Sequence, residues 1–413
     1  SAGLSFIFTE LEPLQGIKDV LTYGKLRGSI AQVGKDAAPY MLRPWLEPRN
    51  TTGGGVGYAF NGPSESLVPE MTTSYEVGAE FKFFNDRLGL DMAYFKKVSK
   101  DQIVRNMRLS YGTGYVLKTF NAGEIETGGF ELQVNATPVV AGDFTWNVLA
   151  NYSHNYSELV KLPSSVPEYY NSDTWLYNNV RNGARVGGPV NSFTGYDYQR
   201  NDKGQILINP STGYPLRDLS EWKVIGDRTP DFMMGLTNSF AYKSLSLSFL
   251  FELRKGGDVF NATEHFLTVR GLSTRTLDRF QSRIYDGVLK DGLENSDNPT
   301  RNNIVINPAW DSNFYTATSG EIDYIEKDVN WLRLRDVTLR YNLPSSLLQR
   351  TRVAKSASVF VTGTDLFLLT NYSGLDPVGS ATSLATGGSG GYGFDYGNLP
   401  MPMGLNFGIN VGF

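Results

Sequence analysis

Residues 244–254 read SLSLSFLFELR. Successive side chains of a strand point to opposite sides. Leu245, Leu247, Phe249, Phe251 and Leu253 therefore share one face, and Ser246, Ser248, Glu252 and Arg254 the other. The apolar face runs for about the ten residues that a membrane-crossing strand needs, while the opposite face carries hydroxyls and charge. A strand built this way fits between hydrocarbon and a polar interior.

Working outward, the same period of two recurs. Residues 87–95 place Leu88, Leu90, Met92 and Tyr94 together, and 129–136 set Phe130, Leu132, Val134 and Ala136 against Glu131, Gln133 and Asn135. Residues 144–152 align Phe144, Trp146, Val148, Ala150 and Tyr152. The final ten, GLNFGINVGF, align Leu405, Phe407, Ile409, Val411 and Phe413. Eleven strands are read in all, at 2–9, 22–33, 72–84, 87–98, 124–137, 144–157, 230–242, 244–255, 331–342, 357–368 and 404–413. In 331–342 the apolar phase slips near Asp336, which predicts a bulge.

The links between strands alternate in length. One set is short, at 10–21, Asn85-Asp86, 138–143, Lys243 and 343–356. The other is long, at 34–71, 99–123, 158–229, 256–330 and 369–403. Short turns at one end and long loops at the other mark outer-membrane barrels, the short turns being periplasmic. That parity requires the strand-like stretch 184–208 to be structure within a loop and not a crossing of its own.

Composition agrees. The chain holds 24 Phe, 23 Tyr, 6 Trp and 44 Gly, a mix suited to strands and turns. Its charge of −4 includes no basic block, which argues against nucleic acid as a partner. There is no cysteine, hence no disulfide or thiolate metal site, and the two histidines, His154 and His265, stand too far apart to suggest zinc. No metal or cofactor is expected. No segment reaches the ~20 continuous apolar residues of a membrane helix. Ser1 opens mid-pattern with no signal peptide visible.

A soluble sandwich or propeller alternates too. Three features oppose it. Glu76, Glu80 and Lys82 charge one face of 72–84 while the other stays apolar. Aromatics recur towards strand ends, at Tyr75, Phe84, Tyr94, Tyr152, Trp331, Tyr341 and Phe413, as membrane girdles require. Repeats of propeller length are not visible. The fold class expected is therefore all-β, a transmembrane antiparallel β-barrel, with 1–413 forming part of a single barrel domain. Bacterial barrels have even strand numbers, so upstream chain is expected to supply the remaining strands.

Several stretches, in order, resemble the C-terminal half of the SusC/RagA family of TonB-linked outer-membrane proteins of Bacteroidota. They are KLRGSIAQVG (25–34), PEMTTSYEVGAEFKFFNDRLGLDMAYFKKVSKDQI (69–103), NAGEIETGGFELQV (121–134), VIGDRTPDFMMGLTNSFAYKSLSLSFLFE (224–252), WLRLRDVTLRYNLP (331–344), GTDLFLLTNYSGLDPVG (363–379) and the closing FGINVGF. NLPMPMGLNF departs from the family's usual ending. The resemblance implies a barrel of 22 strands, of which this chain supplies the second eleven. It also implies TonB-dependent import of an oligosaccharide or peptide, with a SusD-like surface lipoprotein as lid and outer-membrane lipid around the wall. The competing function is a family barrel kept as a structural subunit of a larger outer-membrane assembly.

No catalytic motif appears, so an enzyme is not expected. The glycines at 53–55 and in 387–393 read as loop glycines, and the acidic stretches Glu294–Asp297 and Asp323–Asp328 as solvated loop charge more than calcium ligands. Ligand contact would fall to loop aromatics, for which Tyr169, Tyr170, Trp175 and Tyr177 are the candidates. In 256–330, Val259, Phe260, Phe266 and Leu267 suggest one face of a short helix. Phe413 is the expected assembly signal.

Overall fold

A computed structural model of the chain describes residues 1–39, 41–43, 45–48, 53–59, 61–64, 66–108, 115, 117–166, 168–170, 180–348, 354–378 and 393–413. Its dominant element is one antiparallel sheet of eleven strands, each hydrogen-bonded to its neighbours in sequence order. They are β1 (Ala2–Ile7), β2 (Leu21–Lys35), β3 (Glu70–Phe83), β4 (Leu88–Lys100), β5 (Glu124–Ala141), β6 (Phe144–Lys161), β7 (Phe232–Tyr242), β8 (Leu245–Lys255), β9 (Trp331–Asn342), β10 (Ser356–Thr370) and β11 (Gly404–Gly412). This is the meander and the alternation of short and long links read from the sequence. Among the described residues no helix is long and apolar enough to cross a membrane.

Register assembles the apolar rows. Leu245 lies between Tyr242 and Tyr341, Leu247 between Phe240 and Leu339, and Phe251 between Leu236 and Leu334. The rings of Trp146 and Phe240 stack at 5.8 Å, and Phe249 meets Phe240 at 6.0 Å and Phe251 at 5.5 Å. The one amide in this field, Asn238, accepts from the Trp146 indole at 3.1 Å. A polar group facing hydrocarbon needs such a partner. The other side of the sheet is concave. Arg27, Asp91, Glu131, Asn151, Ser153 and Glu252, from five strands, line a single groove of about 490 Å³ there.

The predicted slip near Asp336 is a register shift. Leu250 pairs with Asp336 and Phe251 with Leu334, leaving Arg335 unopposed. The neighbouring ladder shifts at the same level, from Leu334–Phe367 to Asp336–Thr364. Asp365 takes a positive φ of 49° there. Both strands bulge together, which resets the phase so that Leu332 and Leu334 rejoin the outer face. Trp331 is correspondingly turned inward. Only 4% exposed, it packs with Val259, Val329 and Tyr372 and belongs to no membrane girdle.

A second difference concerns β5, expected over 124–137, which continues through Pro138 to Ala141. Proline lacks the amide a ladder needs, and the register shifts between Ala136 and Val139 to absorb it. The hairpin then closes through Gly142, whose φ of 57° suits glycine. At the link after β1, Phe8 lies across Gly24, where a Cβ would approach the ring to 2.2 Å. A side chain there would have to displace the Phe8 ring.

Candidate functional site

The long links all leave the same end of the sheet, and three of them knit together. Between β6 and β7, Tyr169–Tyr170, Val180–Ala184, Ser192–Gly195 and Lys223–Asp227 form a four-stranded sheet. The strand-like stretch 184–208 is thus in-loop structure, as parity required. Between β8 and β9, Val259–Asn261 pairs antiparallel with Ile325–Glu326 and parallel with Phe394–Asp395 of the β10–β11 link. Phe193, Phe260 and Phe394 meet edge to face, with centroids 5.1–6.4 Å apart, inside a buried cluster that includes Val180, Ile225, Tyr324 and Ile325. Three loops therefore share one core. A crown with its own core is a preformed surface.

The expected helix is present but shorter on its N-terminal side. It is α1 (Ala262–Val269), capped by the Asn261 side chain, which accepts from the Glu264 amide. Val259 and Phe260 lie before it, in the strand. Its fully buried residues are Ala262, His265 and Thr268, and Phe266 and Leu267 are half-buried.

Charge is buried where the crown meets the wall. Arg228, 2% exposed, donates to the Asn182 side chain and to the Asn191 carbonyl, and lies over the Phe193 ring. Arg254 donates to the Arg228 carbonyl at 2.7 Å and covers Trp331 at 4.6 Å. At the double bulge, Arg335 donates to Glu252 at 2.8 Å and to Asp365 at 3.2 Å. Arg333 reaches Asp365 at 3.3 Å and Asp376 at 2.6 Å. Sequence reading did not find this network, although its trace was visible: charges crowd the stretch where alternation slips.

A further set joins the two largest loops. Tyr198 donates its hydroxyl to Asp323, and Arg217 reaches Glu321 and the Ser319 carbonyl. Burial pushes the Tyr198 phenol up, reinforced by the Asp323 charge, and burial raises the Asp323 carboxyl as well. His265 meets the Tyr324 ring edge to face at 4.8 Å and sits 3.3 Å from the Ser319 carbonyl. Burial lowers its pKa, against the opposing pull of Glu321. Glu168 is raised by burial too, while Thr194 and Arg181 favour its charge.

The named ligand candidates are dispersed. Tyr169 packs against Val104, Met107, Ala122 and Val166 at the base of the crown, and burial raises its phenol. Tyr170 pairs with Gly183 through its backbone. Trp175 and Tyr177 lie outside the described residues. Phe413 follows β11 and is 75% exposed. His154, on the wall, contacts the Asp231 carbonyl, remote in sequence from His265. Among the described residues no three carboxylate or imidazole groups converge as a metal site would need, and the Asp323 side chain is engaged by Tyr198.

Residues 1–249 match the family described as TonB dependent receptor-like, beta-barrel. Curated relatives include TonB-dependent receptor P26 of Formosa agariphila, 28% identical over 426 aligned residues, covering 95% of this chain and 40% of the relative. TonB-dependent receptor SusC of Bacteroides thetaiotaomicron is 26% identical over 338, covering 77% of this chain and 30% of that one. Among solved structures, the RagAB peptide importer in its closed-closed state superposes with a TM-score of 0.71 at 20% identity, over 99% of this chain and 43% of its own. That likeness concerns the fold. The chain spans two fifths or less of the length of these curated relatives.

Proposed function

The chain belongs to the TonB dependent receptor-like β-barrel family of the bacterial outer membrane, and on that premise we propose that it works in active import of a bulky nutrient, an oligosaccharide or a peptide. The eleven strands form one part of the barrel wall. Their convex face meets lipid and their concave face, with Arg27, Asp91, Glu131 and Glu252, lines the interior. Further strands of the complete protein close the wall, because an unpaired strand edge has no place in hydrocarbon. A plug inside that wall couples to TonB, and a SusD-like surface lipoprotein covers the loops.

The observation that carries this reading is the crown. A wall alone needs only short connections, whereas here the links after β6, β8 and β10 build a shared core around Phe193, Phe260 and Phe394. Long ordered loops on a rigid scaffold are where binding is carried. The candidate ligand contacts are Tyr169, Tyr170, Trp175 and Tyr177, amphipathic aromatics suited to sugar rings and peptide side chains alike. The test is uptake by cells with and without the full-length protein, using labelled oligosaccharide and oligopeptide mixtures, repeated after the proton gradient is dissipated. Import predicts energy-dependent loss of uptake for one mixture on deletion. Unchanged uptake of both would leave the structural-subunit role instead.

A further inference from the structure

One row of the concave face sets an open carboxylate beside an apolar side chain. Register carries the row from Arg27 through Gly78, Ala93, Glu131 and Ser153 to Met233. Ala93 and Ser153, on either side of Glu131, are small, as is Gly235 in the next row, and the groove is the space they leave. The other charges of the groove are paired: Arg27 holds Asp91 at 2.8 Å, and Arg335 holds Glu252 at 2.8 Å. Glu131 is exposed, and among the described residues its carboxylate has no ion-pair or hydrogen-bond partner. Met233, 37% exposed, stands two strands away in the same row, about 10 Å at the spacing of a sheet. Past Met233 the row runs to Arg254 and Trp331, beneath the crown.

We propose that Glu131 and Met233 form a subsite for a lysine or arginine side chain of a peptide cargo passing from the crown through the barrel, an inference that rests on the import proposed above and names its cargo. The chemistry matches at both ends. Lysine and arginine carry a charged head on an apolar stem. The stem lies along the Met233 thioether, which adapts to varied shapes, and the head reaches Glu131. Three carboxylates against one guanidinium among the lining residues disfavour an anionic cargo. A sugar ring is served less well, because the row from Arg27 to Met233 offers no aromatic face to stack on. The groove continues to the base of the crown, where cargo is first held, so a travelling side chain is its occupant. A resident segment of the longer protein filling the groove would have to bring a fixed cation to Glu131, and cargo charge separates the two cases.

The experiment measures energy-dependent uptake by cells carrying the full-length protein, with labelled alanine oligopeptides that hold one central lysine, norleucine or glutamate. Lysine and norleucine share a four-carbon stem and differ in charge. Wild type is expected to take up the lysine peptide best. Glu131→Gln should lower that uptake about tenfold, the effect of one lost charge-assisted bond, and leave the norleucine peptide unchanged. Glu131→Lys should move the preference to the glutamate peptide. Glu131 is exposed, so both variants are expected to fold, as gel mobility before and after heating will report. An unchanged lysine preference in Glu131→Gln overturns the subsite. An equal fall for all three peptides overturns it too, and assigns Glu131 to the wall or to a resident segment. Wild-type uptake of oligosaccharide but of no peptide overturns the subsite and leaves import standing, whereas uptake of neither removes both.

Discussion

Arg333 on β9 donates from Nη2 to Asp376 Oδ1 at 2.6 Å, with the two residues 2% and 5% exposed. Asp376 lies in the link after β10 and also accepts from the amides of Val378 and Met401. One carboxylate thus fastens both limbs of that link to the wall. Asp376→Ala would leave the Arg333 charge buried without this partner, a loss of about 3–5 kcal/mol for a broken buried pair. The wall does not depend on it. The expected outcome is a barrel that still resists heat on a gel but is cleaved by protease within 371–403. A protease pattern matching wild type would show that the pair does not hold the link.

His265 gives the crown a pH dependence. Its pKa is lowered chiefly by burial, with Arg217 adding to that and Glu321 and the Ser319 carbonyl opposing it. An imidazole buried neutral contributes stability that is complete above its ordinary value of about 6.5. That stability is lost as pH falls from there towards the lowered value, because the unfolded loop binds the proton more readily. Amide protection in 256–330, after correction for the intrinsic slowing of exchange at lower pH, should therefore fall between pH 7 and 5, and His265→Gln should flatten the change. Equal slopes in both proteins would remove His265 as the cause.

How far the sequence reveals this fold follows from what each position answers to. Phe249 and Ser248 answer to two solvents on two faces, so their alternation is written locally, and all eleven strands and the side of every link are legible. The bulge at Arg335 shows as a slip because it breaks that alternation. Its purpose does not show, since Glu252, Asp365 and Asp376 come from other strands and links, and their pairing depends on register. Trp331 misled for a related reason. An aromatic at a strand end reads as a girdle residue unless Arg254 and Tyr372 are known to enclose it. The crown core of Phe193, Phe260 and Phe394 was hidden in the same way, each ring coming from a different long link.

Topology can be checked in intact cells. Arg301 is exposed in the β8–β9 link, while Lys243, at a φ of 52°, forms the β7–β8 turn at the opposite end. A cysteine replacing Arg301 should react with a membrane-impermeant thiol reagent, and one replacing Lys243 should not. The opposite labelling would invert the orientation.

Phe413 is expected to serve assembly. It closes the alternation of β11 and is 75% exposed, packing on no buried cluster of the described residues. Phe413→Ala in the full-length protein should lower the amount of folded barrel with little effect on the unfolding of the barrels that form. An unchanged yield would assign the signal elsewhere.

The lipid face offers the sharpest test, because one strand carries its own control. Phe249 sits midway along β8 on the apolar side, between Asn238 and Val337 in register and against the rings of Phe240 and Phe251. Ser248, the preceding residue, lies on the concave side between Ser239 and Thr338. Arginine near the bilayer midplane on a lipid-facing position costs about 2–4 kcal/mol, whereas substitutions on the polar interior side are tolerated. Phe249→Arg also removes two aromatic contacts of the kind worth ~0.5–1.5 kcal/mol each. The full-length protein with Phe249→Arg should therefore show a clearly reduced folded fraction on a heat-modifiability gel, and Ser248→Arg a fraction close to wild type. Phe249→Leu, which keeps the face apolar, should restore most of the loss. If Ser248→Arg proved the more damaging of the pair, the assignment of the two faces would be reversed and the convex side of the sheet would not be the one that meets lipid.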